Sequence, residues 1–364
     1  MNEKQEEKDL ANHVPNLSQN FEYDFEKINV LNSIPLENRK MPTKMSFSQN
    51  NFYFENFEQT NDLMYVSKKI FKYDFEQNQV NKVLEIDEKI KMIGSIEINN
   101  QLLVSYIDLR NWEKGMPYKY VVSTYVDGKE VVLLTTKFGS DLLNPNFTKS
   151  NNKVYFFSSS IDSKENEDYS NSDISVILYS FDGRNLEKVF QSKSYLTDYT
   201  LNPEIPFIFD TKIHYNANNE IVFQELSNKQ GILHILKDNE IKNIDIDSKF
   251  SLLEIMANYA LLYNIDNKTF TFYDFEKNDY HDIEETDNMY EAININDQYI
   301  CVLKGDGKHY LLSPYNTKAK IVKTPVEDYD KQREFIYSDG RNVLLQISDY
   351  ETDEAIFYKM CFNQ

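Results

Sequence analysis

One phrase recurs along this chain: a short apolar run, an Asn or Asp turn, and a second, stronger apolar run. It is written seven times, as MSFSQNNFYFENF around Asn50 and Asn51, GSIEINNQLLVSYI around Asn99 and Asn100, and FTKSNNKVYFFSSS around Asn151 and Asn152. The remaining copies are IHYNANNEIVFQE around Asn218 and Asn219, LLEIMANYALLYNI around Asn258, EAININDQYICVLK around Asn296 and Asp297, and EFIYSDGRNVLLQI around Asp339 and Gly340. Apolar residues on both sides alternate or run together, which is strand rather than helix periodicity. Each copy therefore predicts a β-hairpin.

Between consecutive copies lies a second hairpin with its own turn. The turns fall near Asp74, at Asp127 and Gly128, at Asp182 and Gly183, at Asp238 and Asn239, between Asp274 and Asn278, and near Asn316. Gly and Pro number only 9 each, so Asn and Asp carry most of the turn chemistry. Both tolerate left-handed backbone and bond their own main chain. The phrase YDFE closes two of these outer hairpins, at Tyr73 and Tyr273, and occurs a third time at Tyr23.

Pairs of hairpins repeated in this way resemble the seven-bladed β-propeller superfamily over residues 21–364. The resemblance implies an all-β ring of seven four-stranded antiparallel blades, with no specific functional family attached. The Gly-His and Trp-Asp marks of WD repeats, the paired glycines of kelch repeats and the Asp boxes of sialidases do not occur. The seventh blade lacks its fourth strand at the C-terminus, and an N-terminal strand is expected to supply it. The expected pairing is Ile28 to Asn32 against Ile356 to Cys361, with Tyr23 to Glu26 left as a turn relic.

The expected organisation is a flexible polar leader over residues 1–20 and a single propeller domain over residues 21–364. The leader reads as the tether of an exported lipoprotein whose signal and lipid-bearing Cys are replaced by the initiating Met; the alternative is the start of a cytoplasmic protein. With 59 acidic against 39 basic residues the net charge is -20, which repels nucleic acid and anionic membrane alike. No apolar run is long enough for a membrane span. Cys301 and Cys361 are expected to be buried free thiols rather than a disulfide, and a monomer is expected.

No catalytic motif stands out. His13, His214, His234, His281 and His309 are scattered singly without zinc-ligand spacing, and no nucleophile elbow or nucleotide-binding loop is present. The acidic run from Asp162 to Asp173 does not follow the order of a calcium loop. No metal, cofactor or catalytic residue is assigned. Loop length is more informative, because blades two, three and four carry long connections that emerge on one face in a propeller. These are the segments 108–118, 162–173 and 194–207.

Loops on a rigid scaffold often carry function, and Trp, Tyr and Arg make interface anchors. Arg110, Trp112, Tyr118, Tyr195 and Tyr199 are the expected partner-binding residues, with Asp108 and Asp198 as polar orienters. The competing reading packs Trp112 and the tyrosines down on the blade edges. The expected function is a non-enzymatic, extracytoplasmic interaction scaffold for a protein or glycan. Its alternatives are a glycan-processing enzyme with a carboxylate-lined central pocket and a cytoplasmic protein-interaction propeller.

Overall fold

The computed structural model describes residues 23–28, 46–48, 51–59, 65–74, 76–77, 79–87, 89–113, 118–126, 128–138, 147–150, 152–162, 173–192, 208–209, 212–216, 218–226, 231–286, 289–295, 298–304, 308–323, 332–338, 343–349 and 354–362. They form seven antiparallel sheets and, among themselves, no helix. The first strand of the chain, β1 (Tyr23–Ile28), belongs to the last blade. Blade one is β2 (Ser46–Ser48), β3 (Asn51–Gln59), β4 (Tyr65–Asp74) and β5 (Gln79–Glu85). Blade two is β6 (Ile90–Ile98), β7 (Gln101–Asp108), β8 (Tyr118–Val126) and β9 (Lys129–Phe138). Blade three is β10 (Thr148–Ser150), β11 (Lys153–Asp162), β12 (Asp173–Phe181) and β13 (Leu186–Gln191).

Blade four departs from the pattern. Its inner position is filled by two short strands, β14 (Ile208–Phe209) and β15 (His214–Tyr215), which both pair with β16 (Ile221–Leu226). β17 (Gly231–Lys237) and β18 (Glu240–Ile246) complete it. Blade five is β19 (Phe250–Met256), β20 (Tyr259–Asn264), β21 (Thr269–Asp274) and β22 (Asp279–Thr286). Blade six is β23 (Met289–Asn294), β24 (Ile300–Lys304), β25 (His309–Ser313) and β26 (Asn316–Ile321). Blade seven is β27 (Gln332–Ser338), β28 (Val343–Asp349) and β29 (Glu354–Phe362), with β1 on its outer edge.

The chain is thus a seven-bladed β-propeller closed by an N-terminal strand. The register of closure differs from the expectation. Tyr23 pairs with Phe362, Asp24 with Cys361, Glu26 with Lys359 and Ile28 with Phe357, so Tyr23 to Glu26 is strand rather than a turn relic. Asn29 to Asn32 lie outside the described residues. The Tyr23 hydroxyl also accepts the Lys323 N–H at 2.7 Å, tying the closing strand to the exit from blade six.

The core lies between blades. Successive side chains of a strand point to opposite faces, so one second strand serves two layers. Leu261 of β20 packs toward blade six, whereas Ala260 and Leu262 pack toward blade four. Leu102 and Val104 of β7 face blade one while Leu103 faces blade three. Burial on both sides is why these strands read as unbroken apolar runs. Each fully buried Leu, Ile, Val or Phe contributes about 1.5–3 kcal/mol.

The turns work as the sequence implies. Asn99 and Asn100 both adopt positive φ between Ile98 and Gln101, as do Asp238 and Asn239 between Lys237 and Glu240, the pattern of a two-residue hairpin turn. In three outer turns one Asp carboxylate oxygen accepts two following backbone N–H groups, at Asp74, Asp182 and Asp274. The turn expected near Asn316 occupies Pro314 and Tyr315, with Asn316 already paired to Ser313.

Turn side chains also join blades. Asn99 Nδ2 donates to Asp182 O at 2.7 Å and Asn218 Nδ2 to Asn258 Oδ1 at 3.1 Å, while Asn258 Nδ2 bonds Glu276 at 2.7 Å within blade five. Gly183 meets Asn99 so closely that a Cβ would lie 2.9 Å from its amide nitrogen, and its φ is +90°. The face that carries these turns is therefore tied laterally from blade to blade.

Candidate functional site

The opposite face carries the strand-two to strand-three and blade-to-blade connections. At the end of β7, Asp108 is buried at the entrance to one of these loops. Arg110 turns back on it: Nε donates to Oδ1 at 2.8 Å and Nη2 to Oδ2 at 2.9 Å, while the Arg110 backbone N–H reaches Oδ1 at 3.1 Å. Lys119, directly across the ladder on β8, donates to Oδ2 at 3.3 Å. The Arg110 bonds hold the Asp108 carboxyl well below its usual range, against the opposing effect of burial, and Asp108 in turn raises the guanidinium.

Two of the five Arg110 donors are spent in this pair. They lie on one edge of the fork, and a guanidinium has a second edge that can bind another group. The Leu109–Trp112 segment is a turn in which the Trp112 N–H bonds Leu109 O at 3.2 Å, and Trp112 is half-buried. Trp112 thus sits between the two readings the sequence leaves open, neither fully packed down nor fully displayed. Tyr118 begins β8, whereas Tyr195, Asp198 and Tyr199 lie outside the described residues, as do segments 163–172 and 193–207.

Behind this loop, Tyr106 and Ser123 both donate to Glu130 Oε1, at 2.5 and 2.8 Å, linking β7, β8 and β9. Burial, then the Glu130 bond, raises the Tyr106 phenol. The loop therefore stands on a hydrogen-bonded platform.

A second polar cluster lies among the inner strands of blades four, five and six, and nothing local in the sequence announces it. His214 Nδ1 meets Glu254 Oε1 at 2.7 Å. Lys212 donates to Glu254 Oε2 at 3.3 Å, to Leu253 O at 3.1 Å and to Ala292 O at 3.2 Å. One ammonium thus spans three blades and uses all three of its donors. Burial opposes ionisation of Glu254, but Lys212 and His214 outweigh it and hold the carboxyl below its ordinary range. That state suits a structural anion rather than a general acid, which needs a raised pKa. The His214 Nε2 atom is buried without a hydrogen-bond partner among the described residues.

Four histidines lie in strands, His214, His234, His281 and His309, and His13 is outside the described residues. Among the described residues no group of three His, Cys, Asp or Glu could hold a metal ion. Cys301 and Cys361 are free; Cys301 is buried, whereas Cys361, paired in the sheet with Asp24 of the closing strand, is only half-buried.

No protein-family model matches the chain, and no curated protein matches it. Solved structures do. A structure of YCF48 bound to a D1 peptide has a TM-score of 0.51 at 7% identity, covering 94% of this chain and 96% of that one. A chain of a mitotic checkpoint complex has a TM-score of 0.51 at 10% identity, covering 96% and 95%. An acylaminoacyl peptidase of Pyrococcus horikoshii has a TM-score of 0.52 at 11% identity, but this chain spans only 49% of its length. The class is that of the seven-bladed propellers, and at these identities the likeness shows the fold alone.

Proposed function

We propose that the protein is a binding scaffold that holds a protein partner, through a peptide segment, on its loop-bearing face. The observation that carries this reading is the contrast between the faces. Tight turns cross-tied by Asn side chains close one, whereas the other carries a connection built on buried Asp108 that orients Arg110, two residues before Trp112. Tyr118, Tyr195, Asp198 and Tyr199 complete the proposed surface. Two of the similar structures are, in their own descriptions, a peptide complex and a multiprotein assembly. On the same reading the polar leader over residues 1–20 spaces a lipid-anchored, extracytoplasmic domain from the membrane, and metabolic lipid labelling of the native reading frame tests that.

The test must respect the Asp108 pair. Arg110→Ala would leave a buried carboxylate short of a partner and confuse binding with stability. Trp112→Ala combined with Arg110→Lys keeps the charge and removes the fork and the ring. Wild type is screened against peptide and glycan arrays, with Lys129→Ala on the turn face as a control. The expected result is peptide ligands that lose at least about tenfold in affinity, roughly 1.4 kcal/mol, in the double variant and not in the control. Ligands that bind the double variant unchanged, or glycans alone, would refute the reading.

A further inference from the structure

Blades one, two and three share a device on their outermost strands. Each carries one extra residue opposite its neighbour, at Val83 in β5, Leu133 in β9 and Val189 in β13. Aligning the strands on that bulge brings three exposed positions into correspondence: two before it and the second after it. In blade one these are Asn81, Lys82 and Glu85, and in blade three Glu187, Lys188 and Gln191. Lys82 Nζ reaches Glu85 at 3.1 Å and Lys188 Nζ reaches Gln191 at 2.7 Å, so a lysine and its partner cover the same stretch of edge. Charged residues on an edge strand are how sheets avoid pairing with other chains.

In blade two the same positions are Val131, Val132 and Thr135. Val131 is 46% exposed and Val132 54%. β9 is uncharged from Val131 to Thr136, whereas β1, β5, β13, β18, β22 and β26 all carry charges at shorter intervals. No described strand pairs with its outer edge. We propose that this edge is where two copies of the chain meet, β9 antiparallel to β9 across a two-fold axis.

The sequence of the strand supports a second copy as the occupant. Laid antiparallel on itself about the midpoint of Leu133 and Leu134, β9 sets Glu130 of each copy opposite Lys137 of the other, and Val132 opposite Thr135. The bulge makes this register available. One extra residue reverses the alternation of outward-facing backbone groups, so positions of unlike parity on the two sides can pair. Tyr106 and Ser123 already hold the Glu130 carboxylate in place. The inference is independent of any partner on the loop face, and it replaces the monomer expected from the sequence.

Light scattering over a dilution series tests it. Wild type should approach twice the 43.1 kDa of one chain. Val132→Lys with Thr135→Lys, which sets like charges directly opposite each other across the seam, should return the mass to one chain with an unchanged melting temperature. Val132→Cys with Thr135→Cys should form an intermolecular disulfide under mild oxidation, whatever becomes of the lysine variant. A wild type that stays at the single-chain mass, a dimer that survives the lysine variant, or no cross-link would overturn the proposal.

Discussion

Residues Tyr23–Lys27 and Tyr273–Lys277 are the same five residues, YDFEK, and they fold differently. The first copy is extended and paired with β29 along its length. In the second, Asp274 ends β21, its carboxylate gathers the N–H groups of Glu276 and Lys277, and the chain reverses. The sixth residue separates them. Asn278 adopts φ 57° and donates its N–H to Asp274 O, and the Tyr273 hydroxyl bonds its side chain. Ile28, in the same place, is β-branched and strongly disfavours that conformation. Tertiary context agrees, since without β1 the edge of β29 would lie open. A local phrase is thus resolved by one neighbouring residue and one available partner strand.

Three substitutions or truncations probe the difference, in falling order of effect. Removing the chain through Ile28 strips β29 of its partner and opens the ring. The expected outcome is loss of the cooperative thermal transition, with aggregation seen in light scattering; a monomer melting like wild type would show that closure contributes little. Asn278→Ile forces a β-branched residue into the left-handed region, at a cost of about 1–3 kcal/mol. Chemical denaturation should report that loss, and none should appear for the matched change Lys277→Ala. Tyr23→Phe removes the acceptor for the Lys323 N–H, worth about 0.5–1.5 kcal/mol. It should lower the denaturation midpoint slightly with an unchanged slope.

The comparison also explains what could be read in the sequence. Turns were legible because a reversal needs residues that accept positive φ, and Asn99, Asn100, Asn219, Asp238 and Asn239 declare themselves. The closing register was not, because YDFEK suits either outcome until its sixth residue and its partner are known. Blade four was only partly legible: its split inner strand leaves two short pieces, β14 and β15, too brief to show a period. At the loop, Asp108 and Arg110 could be named from composition, but their mutual pairing could not, since the fork closes over two residues in an irregular segment. The Lys212–His214–Glu254 cluster was invisible because Glu254 comes from blade five and meets the blade-four pair Lys212 and His214 only when the ring forms.

The ring closure can be tested with a single substitution, because Asp24 lies directly opposite the native thiol Cys361. Opposed residues in an antiparallel pair are about 4.5–5.5 Å apart at Cα, within reach of a disulfide. Asp24→Cys should oxidise to an intrachain bond, lose both thiols to titration and gain thermal stability. Ile28→Cys, which the register anticipated from sequence would place against Cys361, should remain reduced. Cross-linking of Ile28→Cys with Asp24→Cys left free would contradict the closure described.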